Sequence, residues 1–238
     1  MVKKVTKKIN RKLAQFLKVG LHLGHKKNQW NPKMLRYIYK SQRDYHIIDL
    51  YQTQKCLERA CDYAKKATRK KKQFLFVGTR KPIAKIIENE AKRCGAFYIN
   101  YRWLGGILTN WSTIQKRISR LNFLETLEAY DIFKDYPKKE AAQLKRELDK
   151  LRKYLTGIKK MSQLPDVVFL VDQQREMTAI KECKKLGIPI ISIVDTNCDP
   201  DLISIPIPGN DDSVKAIKFV LHKLVTNICF EQKTKQLN

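Results

Sequence analysis

Acidic residues are scarce in this chain. Its 238 residues hold 23 Asp+Glu against 49 Lys+Arg, a formal net charge of +26 with His neutral. Self-repulsion of that size opposes compaction, so an opposite charge is expected nearby, either nucleic acid or an anionic membrane surface. Long apolar runs are missing as well. No stretch approaches the ~20 residues that span a bilayer, and the opening MVKKVTKKIN has no apolar core of a signal peptide, which argues against secretion. A disordered polycation is excluded from the other side, because 43% of the residues are hydrophobic. A chain of this length buries roughly 70% of the surface its unfolded form exposes, enough for one large core and an appendage.

Several site signatures are absent too. None of the six cysteines (Cys56, Cys61, Cys94, Cys183, Cys198 and Cys229) forms a C-x-x-C pair, so neither a zinc ribbon nor a redox motif is suggested. Cys94, Cys183, Cys229 and one of Cys56 or Cys61 fall among apolar residues at helical spacing, where buried, reduced thiols are expected. His22 and His25 stand three apart, but two ligands do not make a zinc site. The G-x-G-x-x-G fingerprint is missing, and Gly78 in Val77-Gly78-Thr79-Arg80-Lys81 lacks the frame of a Walker loop. The Thr79 and Arg80 amides still face a helix N-terminus where a phosphate can sit. Asp195, Asp199 and Asp201 lie where α/β folds place their sites. Asp and Asn before Pro also make hydrogen-bonded turns, however, and no nucleophile–base pair stands beside them. A nucleotide-binding enzyme is therefore the alternative reading, and no catalytic residue, cofactor or metal is expected.

What is present is a concentration of positive charge. Residues 1–50 carry +11 and residues 51–100 carry +9, leaving +6 for the other 138. The polyanion-facing surface should thus come from the N-terminal part. Residues 1–19 form a basic arm, with Ile9, Leu13, Phe16 and Leu17 suggesting a short amphipathic helix. In HLGHKKNQWNPKMLRYIY, from His22 to Tyr39, cations interleave with aromatics and amides, a mixture suited to phosphates and unpaired bases. The candidate RNA contacts are Lys3, Lys4, Lys7, Lys8, Arg11, Lys12, His22, His25, Lys26, Lys27, Trp30, Asn31, Lys33 and Arg36. Arg69, Lys70, Lys71 and Lys72, at the negative end of a helix dipole, join them, as do Arg80 and Arg102.

Strands and helices alternate along most of the remainder. Short apolar runs at 46–49, 74–77, 97–101, 167–171, 190–194 and 203–207 read as strands. Helical stripes follow several of them: Leu57, Ala60, Cys61 and Ala64; Ile83, Ile86, Ile87 and Ala91; Met177, Ile180 and Cys183; and Ile217, Leu221, Leu224 and Ile228. The pattern predicts an α/β, doubly wound, Rossmann-like, mostly parallel sheet. One stretch breaks the rhythm. Ile107, Trp111, Ile114, Ile118 and Leu121, then Leu144, Leu148, Leu151, Leu155 and Ile158, step by three and four on either side of Tyr136-Pro137. An inserted antiparallel coiled-coil hairpin is expected there. The expected division is an arm at 1–19, an α/β domain at 20–106 and 158–230, the hairpin at 107–157 and a tail at 231–238.

The motifs Gly20-Leu-His-Leu-Gly-His25, Trp30-Asn-Pro-Lys-Met34, Arg102-Trp-Leu-Gly-Gly106 with Leu108-Thr-Asn-Trp111, Val194-Asp-Thr-Asn197 and Ile207-Pro-Gly-Asn-Asp-Asp212 closely resemble the S-two (uS-two) family of small-subunit ribosomal proteins. The resemblance runs in order over roughly residues 8–230. Val171-Asp-Gln-Gln174 and Asp195–Asp201 look most like its chloroplast branch. Arg80-Lys81-Pro82 departs from the commoner pattern of a Lys or Arg followed by small residues. The resemblance implies a Rossmann-like sheet without cofactor and a coiled-coil protrusion. It also implies a structural, non-catalytic place on the small ribosomal subunit, bound to ribosomal RNA and neighbouring ribosomal proteins. No membrane, small-molecule substrate or homo-oligomer is implied. The compartment would be the plastid stroma, with the bacterial cytoplasm or another organelle as alternatives.

Overall fold

The computed structural model describes residues 12–236. Candidate residues Lys3, Lys4, Lys7, Lys8 and Arg11 lie outside that range. The chain enters through a helix over residues 12–18 (α1), which ends at Gly20, where φ is +76° and a side chain would be strained. Phe16 is buried in the main core, whereas Leu17, expected on the same face, is 52% exposed.

A small antiparallel sheet follows, of β1 (Leu23–Lys26), β2 (Ile38–Gln42) and β3 (Tyr45–Ile48), with β3 in the middle. Two 3-10 turns, Lys27–Gln29 and Pro32–Tyr37, connect β1 to β2. This corrects the expectation that the strand at 46–49 opens the main alternation. β3 buries only every second residue, His46 and Ile48, as a half-solvated antiparallel strand does. Its neighbours LGHK and IYKSQ are too polar to announce themselves as strands.

The main sheet holds β4 (Phe74–Val77), β5 (Phe97–Ile99), β6 (Val167–Leu170), β7 (Ile190–Val194) and β8 (Ile205–Pro208). All are parallel, in the order β5-β4-β6-β7-β8. This is a doubly wound order, and the direction of winding reverses between β4 and β6. β4, β6 and β7 are buried at every residue, which is why they read as unbroken apolar runs. β8 takes an edge, where Pro206 and Pro208 cost no ladder to a further strand. Phe74 and Phe76 point into the core shared with α2 (Leu50–Arg69), α3 (Lys81–Arg93) and α7 (Val214–Gln236). Leu75 and Val77 point to the opposite core, shared with α6 (Met177–Lys185) and the hairpin.

The hairpin is the crossover from β5 to β6. Its helices are α4 (Trp111–Ala129) and α5 (Lys138–Leu155). Ile114, Ile118, Leu121, Leu124 and Leu127 of α4 are buried with Leu148 and Leu155 of α5, and Phe133 fills the turn end. Cross-helix ion pairs line the seam: Arg120 with Glu147 at 2.9 Å, and Arg152 with Glu125 at 3.2 Å and Glu128 at 2.5 Å. At its foot, a Cβ on Gly157 would stand 2.0 Å from the Tyr98 carbonyl oxygen, so only glycine lets the foot lie on β5. All six cysteines are unpaired; burial pushes the Cys61 thiol up to about 11 and those of Cys94 and Cys183 up to about 12.

Candidate nucleic-acid interface

The Gly20–His25 motif docks the small sheet onto the carboxyl end of the large one. The His25 amide donates to Thr196 Oγ1 at 2.8 Å, and the Asn31 amide donates to the Thr196 carbonyl at 2.8 Å. Asn210 donates its backbone N–H to the Leu21 carbonyl and its side-chain amide to the Gly20 carbonyl, both at 3.2 Å. Gly24 is required at this junction, since a Cβ there would lie 2.6 Å from Thr196 Cγ2. Residues 20–31 are thereby fixed to loops that follow β7 and β8.

His25 sits at the centre of this junction. Its Nδ1 lies 3.2 Å from Asp195 and its Nε2 3.4 Å from Asp212. The hydrogen bond to Asp195 outweighs the opposing effect of burial and, with the charges of Asp195, Asp211 and Asp212, raises its pKa to about 9. That value favours the imidazolium form at neutral pH, with a carboxylate facing each ring nitrogen. His25, Asp195 and Asp211 bring ligand atoms within 4.8 Å of one another. A metal there would have to displace the proton from one imidazole nitrogen. His22 takes no part in that group. It lines an apolar groove of about 720 Å³ between α1 and the small sheet, and burial lowers its pKa.

The structure divides the remaining candidates. Lys33 pairs with Asp199 at 2.8 Å and Asp201 at 3.3 Å, and Arg36 pairs with Asp201 at 2.9 Å. Arg80 turns to Asp212 at 2.7 Å, Lys12 pairs with Glu58 at 3.0 Å and Arg69 pairs with Glu231 at 2.5 Å. Trp30 packs its ring 5.1 Å from that of His46, and the Asn31 side chain caps the turn at Pro32 by accepting from the Lys33 amide. These two are engaged in holding the loop. Asp195, Asp199 and Asp201 do not converge on one centre: Asp195 faces His25, while the other two hold Lys33 and Arg36.

Lys26, Lys27 and Arg102 are exposed and, among the described residues, without a side-chain partner. Lys70 and Lys71 are exposed too, but they follow the far end of α2, a 20-residue helix about 30 Å long. The two basic clusters therefore lie on different ends of the sheet and form no single patch. Exposed Tyr39, Tyr45 and Tyr51 line the apolar groove, with Lys40 and Arg43 beside them. Of these, only Tyr39 belongs to a sequence stretch marked as RNA-facing. Tyr45 and Tyr51 reach the groove because β3 runs into α2, which no local motif reveals.

Together these features define a class: a doubly wound α/β scaffold whose loops are closed by the chain's own basic N-terminal sheet. A family model described as ribosomal protein S2 matches residues 16–230. The chain is 57% identical to the small ribosomal subunit protein uS2c of Guillardia theta over 217 residues, covering 91% of this chain and 92% of that protein. It is 56% identical to the uS2c protein of Trieres chinensis, with coverages of 91% and 94%. Against the uS2 protein of Picosynechococcus sp. the identity is 55%, with coverages of 91% and 84%. The chain belongs to the ribosomal protein S2 family.

Proposed function

We propose that this chain is a structural constituent of the small ribosomal subunit of a plastid, holding ribosomal RNA through its N-terminal sheet. The observation that carries the RNA contact is the exposed, unpaired Lys26-Lys27 pair at the end of β1, on a sheet pinned to the Thr196 loop. Family membership carries the ribosomal role, and likeness to the uS2c proteins supports the plastid. In this reading residues 20–106 and 158–230 form the docking body, and 107–157 form a protruding coiled-coil arm. One copy acts per subunit.

Sedimentation of the tagged chain tests the assignment: it should travel with the small subunit and bring ribosomal RNA with it. Stable absence from that peak would sink the reading. For the interface, Lys26→Gln with Lys27→Gln should weaken RNA binding and flatten its salt dependence by about one log unit per log salt for each phosphate no longer neutralised.

A further inference from the structure

A second cavity, of about 530 Å³, opens where β4, β5 and β6 end, at the reversal of strand order. Doubly wound proteins bind their ligands at this place. None of its lining residues comes from the N-terminal sheet. Its floor is closed by the chain itself. Thr79 donates its amide to Glu176 at 3.3 Å and its hydroxyl at 2.5 Å, and Glu176 is 2% exposed. A carboxylate thus stands where a nucleotide's phosphate would meet the loop after β4.

The mouth is different. Lys81 in the first turn of α3, Arg102 after β5 and Arg175 before α6 all line it. Arg175 donates from Nε to Thr79 Oγ1 at 2.9 Å, and its two terminal nitrogens stay outside that bond. Lys81 and Arg102 have no ion-pair partner among the described residues. Glu176 is the one acidic residue of the lining, and it is engaged with Thr79. Elsewhere at this end of the sheet, Lys33, Arg36 and Arg80 each have an aspartate. Three cations thus stand round one concave mouth against a single carboxylate, which the Thr79 amide and hydroxyl already engage, and the excess positive charge suits an anion. Lys153 Nζ lies 4.1 Å over one face of the Tyr101 ring.

We propose that this crevice is a phosphate-binding site, with Lys81, Arg102 and the terminal nitrogens of Arg175 as donors. The phosphate is either a phosphodiester of RNA or the phosphate of a free nucleotide. For an RNA source the inference rests on the RNA-binding reading above; for the site itself it does not.

The test titrates the full chain with inorganic phosphate, ADP and a small-subunit RNA fragment, beside the Lys81→Gln/Arg102→Gln variant. Phosphate affinity should drop at least tenfold in the variant, and Arg102→Lys alone should retain most of it. If RNA displaces phosphate and ADP binds no tighter than phosphate, the source is RNA, and the salt slope of RNA binding should flatten in the variant. If ADP binds at least tenfold tighter than phosphate and RNA does not displace it, the source is a nucleotide. Phosphate affinity unchanged in a variant with an unchanged melting temperature overturns the proposal. A wild-type chain that binds phosphate but no RNA keeps the site and defeats the RNA-binding reading. Loss of RNA binding in the Lys26→Gln/Lys27→Gln variant, with no change in phosphate or RNA binding at the crevice variant, does the reverse.

Discussion

Trp103 and Glu182 are joined through the indole, whose Nε1–H donates to the Glu182 carboxylate at 2.9 Å across 79 positions of chain. The same carboxylate accepts the amides of Gly106 at 2.8 Å, Leu108 at 2.9 Å and Thr109 at 3.2 Å. Burial works to raise its pKa, yet these hydrogen bonds prevail and hold it below the usual glutamate value. One buried side chain on α6 thereby organises the whole loop between β5 and the hairpin.

Glu182→Gln should consequently destabilise the fold by about 3 kcal/mol, because the new NH2 faces donors and leaves buried amides unpaired. Denaturant unfolding measures this. The carboxylate's contribution is complete above the unfolded pKa, near 4.5, and should fade as pH drops through its lowered folded value. Glu182→Gln should lose that acid-side dependence.

His25 acts in the opposite pH direction. Its folded pKa, about 9, exceeds the unfolded 6.5, so its stabilisation is complete below pH 6.5 and disappears as pH rises through 9. The gap corresponds to about 3 kcal/mol. Asp211, pushed up by burial and by the charges of Asp195, Asp172 and Asp212, gives the same sign on the acid side. Unfolding free energies from pH 6 to 10 should fall for the wild type and much less for His25→Gln. An equal fall in both would remove His25 as the cause.

Gly24→Ala should cost about 2 kcal/mol, since the added methyl overlaps Thr196 Cγ2 and Oγ1 at 2.6 and 2.9 Å. Thr196→Ser removes Cγ2 and keeps the oxygen that accepts from the His25 amide. The double variant should recover part of the stability, and a double-mutant cycle measures the coupling.

Asp199→Asn with Asp201→Asn releases Lys33 and Arg36 from their partners. RNA affinity should rise severalfold at low salt, with a steeper salt slope. No change in either quantity would place both cations away from the RNA.

How much of the fold is legible in the sequence depends on the reach of each interaction. Phe74–Val77 and Val167–Leu170 declare themselves because a strand covered on both faces has no polar register to break the run. The hairpin is visible through its three-four stepping from Ile114 to Leu121 and from Leu144 to Leu155. The β1–β3 sheet is not, since its strands are short and half exposed and Leu23–Lys26 contains a glycine, a histidine and a lysine. Glu182 gives no signal at all. It is one charged residue on an otherwise ordinary helix, and its donors lie more than seventy positions upstream. The pairing of Lys33 with Asp199 spans 166 positions, so a cation that looks available for RNA is held by the opposite end of the chain.

The docking of β1 onto Thr196 also sets an order in time. During synthesis the His25 segment emerges 171 residues before its acceptor, a delay of about 10–30 s at cellular elongation rates. Through that interval the small sheet has no partner for its inner edge, while β4, β5 and the hairpin can already assemble. The surface carrying Lys26 and Lys27 is therefore completed late, after β7 has been made. A nascent chain reaches its RNA-ready shape only after nearly all of it has been made, which ties binding competence to finished translation.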